Sequence, residues 1–134
     1  FARCSALLEP HGLAAIQVIT IADQRFEQAR RGVDFVKRWI FPGSSIPSVT
    51  ALLEAATGGS DLRLRHLEEI GPHYARTLAA WRENLARHRE AVQRITAPRF
   101  RRLWHYYLCY CEAGFAEGYS GDVQMLFARP RAGR

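Results

Sequence analysis

Lysine is almost missing from this chain. Lys37 is the only one among 19 basic residues, so the net charge of +6 and the pI near 9.8 rest on arginine. That balance favours an acidic partner, either nucleic acid or anionic lipid. Cysteine is scarce and odd in number. Cys4, Cys109 and Cys111 make neither a disulfide framework nor a zinc ribbon, and a reducing, cytosolic compartment fits them best. No run of about 18 apolar residues exists, and the N-terminus has no signal-peptide pattern. The chain contains no glycine-rich phosphate or nucleotide loop, no Ser/His/Asp order suggesting a triad and no histidine pair at metal-ligand spacing. His11 and His66 read as surface or edge residues and His88 and His105 as helical ones, while His73 stands out only by its place beside Tyr74. Repeats and low-complexity tracts are also absent. What remains is 134 residues with 48% hydrophobic content, enough for one domain with a sizeable core.

The pattern is organised around Phe35 to Ser48, an amphipathic run that breaks at Pro42-Gly43 and restarts as a helix after Pro47. Two prolines and a glycine hold this backbone out of a helix and set Phe41 and Ile46 on a rigid turn, where they line a cavity or plug a core. Ahead of it, residues 1–9 predict the end of a helix with Phe1, Cys4, Leu7 and Leu8 on one face. Leu13 to Ile21 is nearly continuously apolar, the pattern of a strand buried on both faces; Gln17 inside it is either satisfied by a backbone group or aimed at a pocket beyond the strand. Asp23 to Arg38 predicts a loop and then a short helix carrying Val33, Phe35, Val36 and Trp39 inward.

Ser48 to Thr57 predicts a helix capped by Ser48 and stopped by Gly58-Gly59. Leu62 to Leu67 alternates as an edge strand does. From Pro72 a long helix is expected, with Tyr74, Leu78, Trp81, Leu85, His88, Val92 and Ile95 in one continuous seam. After Pro98 a second helix carries Phe100, Leu103, Trp104, Tyr107, Leu108, Cys111 and Phe115 on one side. Val123 to Ala128 predicts a closing strand, and residues 130–134 a loose tail. The fold class expected is α/β, with about three strands, helices around them and an antiparallel last strand. Three strands make a poor sheet, so partner strands outside the chain are expected, as its start at Phe1 also suggests.

Three segments together carry a resemblance: Ile40-Phe-Pro-Gly-Ser-Ser-Ile-Pro-Ser48; Gly71-Pro-His-Tyr-Ala-Arg-Thr-Leu78 with Trp81; and Tyr106-Tyr-Leu-Cys-Tyr-Cys-Glu-Ala-Gly-Phe115 followed by Asp122-Val-Gln124. In order and spacing, over about 120 residues, they resemble the C-terminal half of the cyclopropane-fatty-acyl-phospholipid and mycolic acid cyclopropane synthases. The resemblance implies the C-terminal part, 1–134, of a single Rossmann-like class I methyltransferase domain whose cofactor-binding N-terminal half is absent. It implies methylene transfer from S-adenosylmethionine to unsaturated acyl chains of phospholipids, with a bicarbonate ion as base.

By the same resemblance, Tyr74 and the Ile19 amide hold the bicarbonate, and Gln17 stands where the family has a histidine. Gln17 donates a hydrogen bond but carries no proton, which leaves open a C-methyltransferase that does not close the ring. Acyl-chain contacts fall on Phe41, Ile46, Tyr107, Cys111 and Phe115. Tyr107, Cys111 and Phe115, four apart, also share a helical face suited to an alkyl tunnel or to plain core. Tyr74 is expected at the first turn of its helix, where free N–H groups favour an anion.

The partners implied are a phospholipid acyl chain and an anionic membrane surface met by Arg25 to Arg38. Localisation follows as cytoplasmic, peripheral to the inner membrane surface, and a homodimer stays open. The rival class is a basic helical module binding nucleic acid or an acidic protein; it rests on charge alone, and the arginines are spread rather than gathered in a stripe.

Overall fold

A computed structural model describes residues 1–130. The chain runs α1 (Ala2–Leu7), β1 (Leu13–Ile21), α2 (Asp23–Arg31), α3 (Phe35–Trp39), α4 (Val49–Gly59), β2 (Arg63–Glu69), α5 (Gly71–Arg87), α6 (Arg89–Ile95), α7 (Pro98–Ala116) and β3 (Ser120–Ala128). The strands form one sheet in the order β1-β3-β2, with β3 antiparallel to both neighbours. The α/β class and the antiparallel closing strand are as the sequence predicts. The loose tail expected at 130–134 lies, beyond Pro130, outside the described residues.

Register decides which side chains meet. Gln17 pairs with Gln124 and Ile19 with Asp122, so the even residues of β1 join Val123, Met125 and Phe127 on the opposite face. There the core forms from Ala56, Leu62, Val123, Met125 and Phe127, covered by Phe1 and Leu8 beside α1 and by Val49, Leu52 and Leu53 of α4. The predicted Ser48 cap holds, its Oγ accepting from the Ala51 amide at 3.2 Å, but α4 runs through Gly58 and Gly59 and ends at Ser60, since neither glycine takes the positive φ that would stop it.

Burial on both faces of β1 does not occur. The strand alternates, with Leu13, Ala15, Gln17 and Ile19 exposed, because helices cover only one side of the sheet along this edge strand. The α1 face is also different from the expected one. Ser5, not Cys4 or Leu7, is its buried residue, because its hydroxyl bonds the Asp61 carboxylate.

The second layer is the α5–α7 pair. Leu78, Leu108 and Phe115 are its buried core, joined by Tyr74, Leu85, Trp104, Tyr107 and Cys111. Each fully buried side chain of this size stabilises by roughly 1.5–3 kcal/mol. A fork from Arg82 to Glu112, at 2.9 and 3.3 Å, ties the two helices. The predicted seam from Tyr74 to Ile95 breaks at His88. That residue leaves helical geometry at φ −97°, ψ 24°, and its amide and Nδ1 both meet the Asn84 carbonyl. α6 therefore starts afresh, and Ile95 points into solvent.

Asp23 to Arg31 is a helix rather than a loop, with its amide line extended to Gly32. α3 is capped by the Asp34 carboxylate on the Lys37 amide at 2.8 Å. Phe35 packs against Tyr106 and Tyr110, but Val33 and Trp39 stay outward, since five residues of helix present only one narrow face.

Candidate functional site

The C-terminal end of β1 meets the start of α5 across β3. Gln17 and Asp122 share a sheet face because their register positions are both on the odd side of β1 and its partners. Gln17 Nε2 donates to Tyr74 Oη and to Asp122 Oδ2, each at 3.0 Å, and Gln17 Oε1 accepts from Gln124 Nε2 at 3.1 Å. Gln17 is thus satisfied by three side chains and not by the backbone group that one reading of the sequence expects. Asp122 is 1% exposed, and its Oδ1 has no protein partner. Such a carboxylate favours a donor or a positive charge beside it.

Burial, and then the neighbouring Asp122 charge, push the Tyr74 phenol above its ordinary pKa, against a smaller opposing effect of the Gln17 bond. Tyr74 therefore keeps its proton at neutral pH. It acts as a donor and not as a base.

The start of α5 is held by Glu69. Its Oε1 accepts from the Gly71 amide at 2.9 Å and from the Asp122 amide at 3.1 Å, while the Ile70 amide donates to the Asp122 carbonyl at 2.7 Å. Of the first-turn amides of α5, Gly71 thus donates to the Glu69 carboxylate and His73 to the Ile70 carbonyl at 3.0 Å, so part of the N–H set expected near Tyr74 is engaged from within. Both backbone groups of Asp122 turn toward β2 and α5. Its β1 partner Ile19 is then a non-hydrogen-bonded pair, with its amide directed to the outer edge of the sheet, as is the Ile21 amide that reaches the Pro47 carbonyl at 3.0 Å.

From Tyr74 an aromatic path runs along α7. Tyr74 lies over Phe115 at 5.1 Å between ring centroids, and Tyr107 meets Trp104 at 5.0 Å and Phe41 edge-on at 6.1 Å. Phe41, Trp81, Leu85, Trp104, Tyr107 and Leu108 line a groove of about 440 Å³. Burial, with the Cys111 thiol beside it, pushes the Tyr107 phenol to about 12, and burial raises Cys111 as well.

Of the residues expected on sequence, Gln17 and Tyr74 meet directly, and Ile19 stands one register step away. Phe41 and Tyr107 share the groove. Cys111 and Phe115 belong to the adjoining core. Ile46 is half-buried on the extended stretch before Ser48 and does not line the groove. Sequence reasoning missed the roles of Asp122, Gln124 and Glu69. The signal was present in Asp122-Val-Gln124, whose two polar side chains, two apart on a strand, must face one side together.

The cations of Arg25 to Arg38 are largely engaged locally. Arg30 and Arg31 pair with Glu27 at 3.0 and 3.2 Å, Arg25 lies over Tyr119, Arg38 over Trp39, and Lys37 Nζ reaches the Ala29 and Gly32 carbonyls. Among the described residues, no cluster of His, Cys, Asp or Glu could hold a metal ion, and no helix is long and apolar enough to cross a membrane.

Comparison with known proteins places the chain in a family. The tuberculostearic acid methyltransferase UfaA1 of Mycobacterium tuberculosis is 36% identical over 130 residues, covering 96% of this chain and 30% of the relative. The cyclopropane mycolic acid synthase MmaA2 of the same organism is 28% identical over 96% of this chain and 48% of its own length. The solved MmaA2 structure superposes with a TM-score of 0.83 over 95% of this chain and 47% of that one. A Haemonchus contortus phosphoethanolamine N-methyltransferase shares the fold, with a TM-score of 0.74 at 13% identity, over 97% of this chain and 29% of that one. The α/β architecture is thus that of class I methyltransferases. The chain spans about a third to a half of the length of the relatives it matches. Its residues 1–125 match the family pattern of mycolic acid cyclopropane synthetase, and the chain belongs to that family.

Proposed function

We propose that this chain is the acyl-chain-facing, C-terminal part of a single S-adenosylmethionine-dependent methyltransferase domain that transfers a one-carbon unit to unsaturated phospholipid acyl chains and forms cyclopropane fatty acids. The observation that carries the reading is the Gln17–Tyr74–Asp122 network, whose Tyr74 ring packs on Phe115 of α7, the helix that also walls the aromatic groove with Trp104 and Tyr107. Methyl transfer to an alkene creates a carbocation, and such a site needs aromatic faces, negative potential and little water. The rings of Tyr74, Phe115, Tyr107 and Phe41 offer the faces, and the buried Asp122 carboxylate offers the potential. Gln17 holds Asp122 and Tyr74 in place from one side.

S-adenosylmethionine would be held largely by residues outside this part of the domain. The β1–α2 junction, Ile21-Ala22-Asp23, has no glycine turn through which a backbone could approach the cofactor. Bicarbonate, when bound, would supply a base. The Tyr74 O–H and the outward Ile19 amide are donors this chain could offer it. Gln17 is not a free donor, since both hydrogens of its amide point at Tyr74 and Asp122.

On this reading the enzyme works from the cytoplasm as a peripheral protein on an anionic inner membrane surface, with the phospholipid acyl chain entering the groove. Methylation without ring closure is favoured as a second reading by Gln17, which cannot relay a proton. Mass and proton spectra of lipid treated with the intact enzyme separate the two: cyclopropane methylene signals support ring closure, a branched methyl supports the second reading, and unmodified lipid refutes both.

A further inference from the structure

We propose that Arg89, Arg101 and Arg102 form a subsite for the headgroup phosphate of a phospholipid whose acyl chain lies in the adjoining aromatic groove. This rests on the reading above that the groove takes an acyl chain. The three arginines, with Ala86 and His105, line a cup of about 480 Å³ that shares Leu85 with the groove. An apolar channel and a basic cup in contact are the two chemistries of one phospholipid.

Among the three arginines of the cup, Arg101 is set apart by a guanidinium nitrogen that is buried without a partner. Arg30, Arg31, Arg82 and Arg87 each pair with a glutamate, whereas among the described residues Arg89, Arg101 and Arg102 form no ion pair. Nη1 of Arg101 is withdrawn from solvent and has no protein acceptor. A planar guanidinium fork in that condition suits a phosphate oxyanion, which it can meet with two parallel hydrogen bonds.

Spacing along α7 agrees. From Arg101 to Phe115 the helix rises about 21 Å at 1.5 Å per residue, with Trp104 and Tyr107 between them. One lipid leaflet is of the same depth, half of a bilayer of about 40–45 Å. A phosphate held at Arg101 therefore directs its acyl chain along Trp104 and Tyr107, toward the end of α7 where Phe115 meets Tyr74.

The test uses the intact enzyme and two substrates: vesicles of an unsaturated phosphatidylglycerol, and the same acyl chain as an uncharged methyl ester in detergent. R101Q/R102Q should raise KM for the phospholipid about 25-fold, or five-fold per lost charge, with kcat and methyl-ester kinetics unchanged. The control R30Q/R31Q, whose two guanidinium groups share Glu27 away from the cup, should shift KM by less than about two-fold. Equal losses from both pairs would mean diffuse charge attraction and overturn the subsite. So would an unchanged KM in R101Q/R102Q together with competition by inorganic phosphate, which would mark a free-phosphate site. Co-sedimentation of the same variants with the same vesicles reads the subsite without turnover: selective loss in R101Q/R102Q supports it, and equal binding by wild type and R101Q/R102Q overturns it. Wild-type enzyme inactive on both substrates would instead count against the methyltransferase reading.

Discussion

Gly71→Ala should be among the most damaging single changes outside the hydrophobic core. A Cβ at this position would come within 2.4 Å of Glu69 Oε1 and 3.2 Å of both the Asp122 amide and Gly121 Cα. The two backbone atoms cannot swing aside, so the carboxylate must leave, and with it go its hydrogen bonds to the Gly71 and Asp122 amides. Bonds to a charged group contribute about 1.5–3 kcal/mol each, and water regains part of that because Glu69 is otherwise exposed. The expected loss is roughly 2–4 kcal/mol. For a chain of this length that lowers Tm by roughly 8–15 °C.

Urea and thermal unfolding of Gly71→Ala, Glu69→Ala and the double variant form a cycle that isolates the collision. With the carboxylate already gone, Gly71→Ala should add less than about 1 kcal/mol, since only the tight backbone contacts remain. A wild-type-like Gly71→Ala, or a full loss that persists beside Glu69→Ala, would refute the reasoning.

Phe41→Ala removes one wall of the groove at a half-exposed position, so KM for the lipid should rise about 2–10-fold while Tm barely moves; a large fall in Tm with unchanged KM would make Phe41 a core residue. Tyr107, held to about 12, binds its proton more tightly in the folded than in the unfolded chain. The stability this gives is fully present below about pH 10 and is lost as pH rises through about 12. Tyr107→Phe should flatten that alkaline limb in unfolding measured against pH, and an unaltered limb would rule the assignment out.

Much of the fold was legible because local chemistry decided it. Ser48, Pro72 and Pro98 mark helix starts by capping and by the fixed proline φ, and the α4, α5 and α7 starts follow them. The β1 pattern misled because continuous apolarity says that a strand can be buried twice, not that helices will cover both its sides. The seam through His88 misled for a similar reason. Periodicity survives a break of one residue, whereas the helix does not, and a histidine bonding back to Asn84 leaves no mark in the pattern. At the site, Tyr74 and Gln17 were found through motif resemblance. Their contact spans 57 positions in sequence, and neither periodicity nor propensity reports on such a pair. Asp122 was hidden by its place at the start of a strand, where a carboxylate ordinarily reads as turn chemistry.

The most direct test of the site is turnover by Tyr74→Phe in the intact enzyme, measured per folded molecule. The ring would still stack on Phe115 within the α5–α7 core, so the loss of stability should be no more than about 1.5 kcal/mol for one hydrogen bond from Gln17. The missing donor should slow kcat by about 10 to 1000-fold, the range for one preorganised donor or a little below it. Unchanged turnover, or a fall that tracks unfolding alone, would show that Tyr74 is a packing residue and that the functional site lies elsewhere.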